Sequence, residues 1–326
     1  MNTRKLGNNG PDLTEIGLGA WAIGGAWAWG WGAQDDRESR KTIQAALEAG
    51  INWIDTAPVY GLGHSEEVVA SAVEGRREEV FIATKCGLVW DKQGRIKNNN
   101  RPESIRRECD ASLKRLNTEI IDLYQIHWPD PATPVEESWG EMARLRDEGK
   151  VRYIGVCNFG VNLLRKCHQQ YPVQSLQPPY SLLHRLKYPE VEQEILPWCR
   201  ENGVGVVAYS PLQNGLLTGK FSPEKLAALP RDDWRHKSEF FREPWFGISL
   251  KIVDQLASIA KKQGKTVTEL AIAWVLGNPA VTSAIVGARR PQQVEANIGG
   301  SGWQISEKDR AEIESVCREA TSGFPG

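Results

Sequence analysis

The stretch NWIDTAPVYG, residues 52–61, sets an apolar pair, Trp53 and Ile54, directly before the carboxylate of Asp55, and a phenol follows at Tyr60. Ahead of it, DRESRKTIQAALEA (36–49) carries Ile43, Ala46 and Leu47 at helical spacing, with Asp36 as the expected N-cap and Gly50 as the stop. Helix, glycine, apolar run: this unit repeats along the chain. EEVVASAV leads through Gly75 to EVFIATK, SIRRECDASLKRL to IIDLYQIH, and EESWGEMARLRDE through Gly149 to VRYIGVCN. GVNLLRKC then leads to VQSLQ, PEVEQEILPWCREN through Gly203 to VGVVAYS, and two final helices to SAIVGA. With TEIGLGA at the start there are eight short apolar runs.

Near-continuous apolarity in each run means that both faces are covered, as in a parallel sheet. Eight strand–helix units in a chain of 326 residues predict a closed (β/α)8 barrel. A doubly wound open sheet competes, but its GxGxxG turn would have to open a helix. GLGAWAIGG precedes none. No linker-like stretch interrupts the pattern, so residues 1–326 read as one domain, with a large loop or insertion at 213–246 after the seventh strand.

Acids and bases nearly cancel, 41 against 40, which speaks against a nucleic-acid partner and leaves any phosphate attraction local. The six cysteines, Cys86, Cys109, Cys157, Cys167, Cys199 and Cys317, form no CxxC pair and fit a reducing, cytoplasmic setting. Residues 17–34 carry no charge, yet they are too rich in glycine for a membrane span and read as a tryptophan-rich loop.

In a barrel, the strand ends converge on one rim. The runs end in Asp55, Lys85, His127, Asn158, Gln177 and the pair Tyr209–Ser210. An Asp, a Lys, a His and the nearby Tyr60 make a proton-handling set. Lys85 is expected to lower the pKa of Tyr60, Asp55 to hold the lysine, and His127 to donate a hydrogen bond to a carbonyl oxygen. With no metal-ligand cluster in the sequence, a nicotinamide hydride is the expected electron source and no metal is expected.

IDTAPVYGLGHSEE, IATKCGL, DLYQIHWPD, RYIGVCNF, AYSPLQNGLLTGKF and IVGARRPQQVEAN, in this order, resemble the aldo-keto reductase superfamily, in its bacterial NADPH-dependent branch similar to potassium-channel β subunits. The resemblance implies a TIM barrel with an N-terminal β-hairpin and long loops at the C-terminal rim, and a soluble enzyme that reduces aldehydes and ketones. It implies a tetrad of Asp55, Tyr60, Lys85 and His127, with Tyr60 as the acid. It also implies NADPH lying across the rim. Ala20, Trp21 and Asp55 border that cofactor, and Asn158 and Gln177, beside Cys157, hold its carboxamide. Tyr209 stacks on the ring. Ser210, Leu212, Gly215 and Leu217 cross the pyrophosphate, while Lys220 reaches a phosphate or remains a solvated lysine.

The last string is a strand, a glycine turn at Gly287 and a helix start with Pro291. Its N–H groups attract an anion, and Arg289 or Arg290 adds a full charge. Family position selects Arg289 for the 2′-phosphate and Gln293 and Asn297 for the adenine. Trp21, Trp90 and Trp128, with Tyr60 and His127, are expected to wall the substrate pocket. Trp27, Trp29 and Trp31 form a lid or fill their loop, and Trp139, Trp198 and Trp274 fall on helix stripes. HSEE (64–67) reads as a helix start capped by Ser65 rather than as a metal site. A nicotinamide-sensing channel subunit would keep the same tetrad and is the competing function; the sequence leaves the oligomeric state open.

Overall fold

The computed structural model describes residues 1–231 and 233–322. Residue 232, within the 213–246 segment, and residues 323–326 lie outside the described residues. Eight strands close into a barrel in chain order: β1 (Ile16–Gly19), β2 (Trp53–Asp55), β3 (Phe81–Cys86), β4 (Ile121–Ile126), β5 (Val151–Cys157), β6 (Ser175–Gln177), β7 (Gly205–Tyr209) and β8 (Val281–Gly287). Every neighbouring pair is parallel, and β8 closes on β1. All eight expected strands are present, and the expected (β/α)8 architecture with it.

Side chains alternate between two environments along each strand. Outward residues such as Ile54, Ile82 and Tyr124 join the large core between strands and helices. Inward residues change character with height. At the base, Trp53, Ala83, Leu123, Val207 and Ile285 pack with Leu6 and Leu13 into an apolar plug. Two residues further along the same faces come Asp55, Lys85, Gln125 and Tyr209. Period-two alternation thus gives β2, β3, β4 and β7 an apolar foot and a polar head. Trp53 fits only because Gly17 faces it: a Cβ at Gly17 would lie 2.0 Å from the indole.

The expected N-terminal hairpin pairs Thr3–Lys5 with Asp12–Thr14 and covers the base. Gln174 Nε2 donates to the Leu6 carbonyl at 2.6 Å, and the Arg4 guanidinium donates to the Leu276 and Val281 carbonyls. The helices follow the expected stripes, and Trp139, Trp198 and Trp274 are buried in them. Two expected caps differ. Asp35, not Asp36, caps Asp36–Glu48, its carboxylate accepting from the Glu38 N–H. Gly63, not Ser65, precedes His64–Ala72. The tight turn after Tyr60 needs a left-handed residue there, and this frees the Ser65 hydroxyl to donate to the Ala20 carbonyl at 3.0 Å. Glu66 does not decorate the helix start either: fully buried, it takes hydrogen bonds from Arg115 and Thr84, each at 2.6 Å.

Segment 213–246 is built of short helical turns, Gln213–Thr218, Pro223–Ala227, Trp234–Lys237 and Glu239–Phe241. Among the described residues, no helix is long and apolar enough to cross a membrane; the 17–34 stretch is β1 followed by a turn, Trp21–Gly24, and an irregular loop.

Candidate active site

The four side chains singled out in the sequence meet at the rim. Lys85, fully buried, sends Nζ between both Asp55 oxygens, each at 2.8 Å, the Thr56 carbonyl at 2.9 Å and the Tyr60 hydroxyl at 3.2 Å. The His127 ring stands edge-on to the Tyr60 ring, with centroids 5.9 Å apart. Asp55 closes β2, Lys85 is the penultimate residue of β3, and His127 follows β4 with its N–H on the Cys86 carbonyl. Tyr60 comes from the β2 loop, where Gly24 and Gly61 bring two backbones together: a Cβ at Gly61 would sit 2.1 Å from the Gly24 oxygen.

Burial decides the protonation states. The Tyr60 pKa is raised well above the ordinary tyrosine value, first by burial and then by the Asp55 charge. This corrects the expectation that Lys85 lowers it. The ammonium is already matched by both Asp55 oxygens, while desolvation penalises the phenolate. Tyr60 is therefore a protonated hydroxyl at neutral pH. His127 is held well below the ordinary histidine value by burial and then by the Lys85 charge, so its ring is neutral and offers one N–H. A buried neutral phenol and a neutral imidazole, side by side, can both donate to one oxygen.

Around them lie the residues expected to hold a cofactor. Asn158 and Ser210 follow β5 and β7 with left-handed backbones, φ 61° and 56°, which redirect the chain at the rim. Asn158 Nδ2 donates to the His127 carbonyl at 3.0 Å, and Tyr209 donates to Asn158 Oδ1 at 2.9 Å. Gln177 Nε2 donates to Asp55 Oδ1 at 2.7 Å, tying the amide pair to the tetrad. The Cys157 thiol rests 3.6 Å from Gln177 Oε1, and burial pushes its pKa up, so it is an inert packing group. Ala20 donates its N–H to the Asp55 carbonyl. Beyond Ser210, Gln213, Asn214 and Gly215 also have positive φ in the turn that holds Leu212 and Leu217. Lys220 is exposed beside it.

Across the rim, Gly287 ends β8 and Arg289 precedes the helix Pro291–Ile298. Gln293 turns back to accept the Arg289 and Arg290 N–H groups at 2.7 and 3.2 Å, and Asn297 Nδ2 donates to the Gly287 carbonyl at 3.4 Å. The rim thus carries two amides at the tetrad and, across it, an arginine at a helix start, where an anion is favoured.

Aromatic side chains gather at the mouth. Trp27, which the sequence left as lid or filler, packs on Tyr60 at 5.7 Å between centroids. Trp21 meets Trp27, Trp31 and Trp234, and Trp234 comes from the 213–246 segment. Trp128 is 44 % exposed, and Trp90 sits on a small hairpin, Leu88–Trp90 with Ile96–Asn98; neither ring pairs with Tyr60. Sequence order could not reveal Trp27 and Trp234 as partners, because they reach the mouth from loops rather than from strand ends. Among the described residues, no group of three or more His, Cys, Asp or Glu is placed to hold a metal.

The pattern of the Aldo/keto reductase family matches residues 15–318. The chain is 40 % identical over 325 residues to the aldo-keto reductase YhdN of Bacillus subtilis, covering 99 % of this chain and 95 % of that one. It is 38 % identical to an NADH-specific methylglyoxal reductase of Escherichia coli, covering 95 % and 96 %. The structure of a glycerol dehydrogenase from Gluconobacter oxydans superposes with a TM-score of 0.89 at 38 % identity, covering 100 % of this chain and 98 % of that one. The chain thus belongs to the aldo/keto reductase family, a (β/α)8 oxidoreductase acting on carbonyl substrates.

Proposed function

We propose that the chain is an NADPH-dependent reductase that converts small aldehydes and ketones to alcohols, with Tyr60 as the general acid. The observation that carries this reading is the Lys85–Asp55–Tyr60 cluster beside the neutral ring of His127. The hydride for the carbonyl carbon would come from a dihydronicotinamide held at this rim. The protein's part is positioning and proton delivery. Tyr60 and His127 donate to the carbonyl oxygen, and as that oxygen becomes an alkoxide the Tyr60 proton passes to it. The adjacent Lys85 ammonium stabilises the phenolate left behind, and Asp55 keeps the ammonium in place. The indoles of Trp21 and Trp27 exclude water from this exchange.

With the cofactor bound, Asn158 and Gln177 would hold its carboxamide, Tyr209 would stack on its nicotinamide, and Ser210, Leu212, Gly215, Leu217 and Lys220 would line its pyrophosphate. The nucleotide choice rests on Arg289 and Arg290 at a helix start. The Escherichia coli relative is named NADH-specific, so family membership does not decide it. The six cysteines, free and buried, fit a reducing compartment.

The test is a fluorescence titration with NADPH and with NADH, followed by turnover on a panel of aliphatic and aromatic aldehydes. Tighter NADPH binding with aldehyde-dependent oxidation of the nucleotide is expected. A protein that binds neither nucleotide would overturn the reading.

A further inference from the structure

Gln34 and Arg289 lie 255 positions apart and grip each other twice. Arg289 Nε donates to Gln34 Oε1 at 2.7 Å, and Gln34 Nε2 donates back to the Arg289 carbonyl at 3.1 Å. The same guanidinium reaches the Ala33 carbonyl at 2.7 Å and the Trp31 carbonyl at 3.5 Å. Every acceptor in this grip is uncharged. A guanidinium has five N–H groups; three are used, and two remain for a ligand. Nearby carboxylate charge is already committed, since Asp233 takes Arg235 through both oxygens at 2.9 and 2.6 Å. Arg235, stacked over Trp31, and the neighbouring Arg290 add like charge around Arg289. Left unheld, Arg289 would swing away from that repulsion into water.

We propose that Gln34 sets the preference for a 2′-phosphorylated adenosine: its amide clasps Arg289 in place without neutralising it, so the guanidinium keeps its full charge for the phosphate. Gln34 is a positioning residue, acting through Arg289. The inference rests on the NADPH reading above. The neutrality of the clasp is its distinguishing feature. A carboxylate at position 34 would still hold the guanidinium, though without the bond to the Arg289 carbonyl, but would cancel the charge that the phosphate needs. A leucine would leave the charge and lose the amide's part of the hold, keeping only the Ala33 and Trp31 carbonyls.

The experiment is equilibrium binding, by calorimetry at fixed salt, of adenosine 2′,5′-bisphosphate and adenosine 5′-monophosphate, which differ only in the 2′-phosphate. Wild type, Arg289→Met, Gln34→Leu and Gln34→Glu are compared, with melting temperatures to confirm folding. Wild type should favour the bisphosphate, and Arg289→Met should remove the preference. Gln34→Leu should cut the preference about tenfold, and Gln34→Glu by more, as expected for a lost charge-assisted contact. Affinity for the monophosphate should stay level throughout. If both Gln34 variants keep the wild-type ratio while Arg289→Met collapses it, the role of Gln34 is wrong and the phosphate assignment stands. If Arg289→Met also keeps the ratio, the phosphate assignment itself falls, and the clasp with it.

Discussion

Tyr60 is the proposed general acid, and its environment makes two measurable claims. Because burial and Asp55 raise its pKa, the difference in tyrosinate absorbance between wild type and Tyr60→Phe should be absent below about pH 10, the ordinary value. A tyrosinate band already present at pH 8 would show that Lys85 dominates after all. Turnover of Tyr60→Phe should fall by about 10³-fold or more, with NADPH affinity nearly intact, since the ring is kept and only the proton is lost. Steady-state kinetics paired with a nucleotide titration check this, and unchanged turnover would remove tyrosine from the acid role. The set was legible in the sequence because Asp55, Lys85 and His127 lie at successive strand ends with Tyr60 close behind the first, a ring that single polar termini do not explain. The direction of the Tyr60 shift was not, since it depends on how much water the surroundings exclude.

At the scale of elements, buried charges pin helices to the barrel. Glu66 binds the helix His64–Ala72 to Thr84 on β3 and to Arg115 at the end of the helix Pro102–Arg115. Arg115→Ala should therefore cost about 3 kcal/mol in denaturant unfolding, because it strands a buried carboxylate. From the same helix, Glu108 accepts the Gly87 N–H at 2.9 Å and the Ser104 hydroxyl at 3.1 Å, holding the turn after Lys85. Burial pushes its pKa up to about 7 from the ordinary 4.5, despite Arg107 and Arg115 nearby. Between those two values the native state binds more protons than the unfolded chain. The contribution of Glu108 is thus full below 4.5 and is lost as pH rises through 7. Glu108→Gln should gain on wild type by on the order of 2 kcal/mol between about pH 5 and about pH 8. A pH-independent difference in melting curves would refute this. Element boundaries were legible to within a few residues: the cap at Asp35 was missed because the adjacent Asp36 offers equal side-chain capacity, and the one at Gly63 because backbone turn geometry, not a side chain, sets it. The rim loops were not legible, since pairs such as Gln34 with Arg289 or Trp21 with Trp234 join segments whose paths no local periodicity encodes.

For the molecule as a whole, the apolar plug fills the base of the barrel and the polar side chains gather at its rim, so core packing and the candidate site occupy opposite ends. The one carboxylate in the tetrad is already matched by Lys85 and Gln177, leaving no free ligand for a cation. Prolonged dialysis against EDTA is expected to leave carbonyl reduction unchanged; a loss restored by a divalent ion would contradict that. The hairpin of residues 3–14 has a practical consequence. It covers the foot of the barrel and presents Lys5 and Asp12, both exposed, on the side away from Tyr60. A resin, electrode or fusion partner tethered at Lys5 would therefore anchor the enzyme by its closed side, with its opening turned toward the bulk solution.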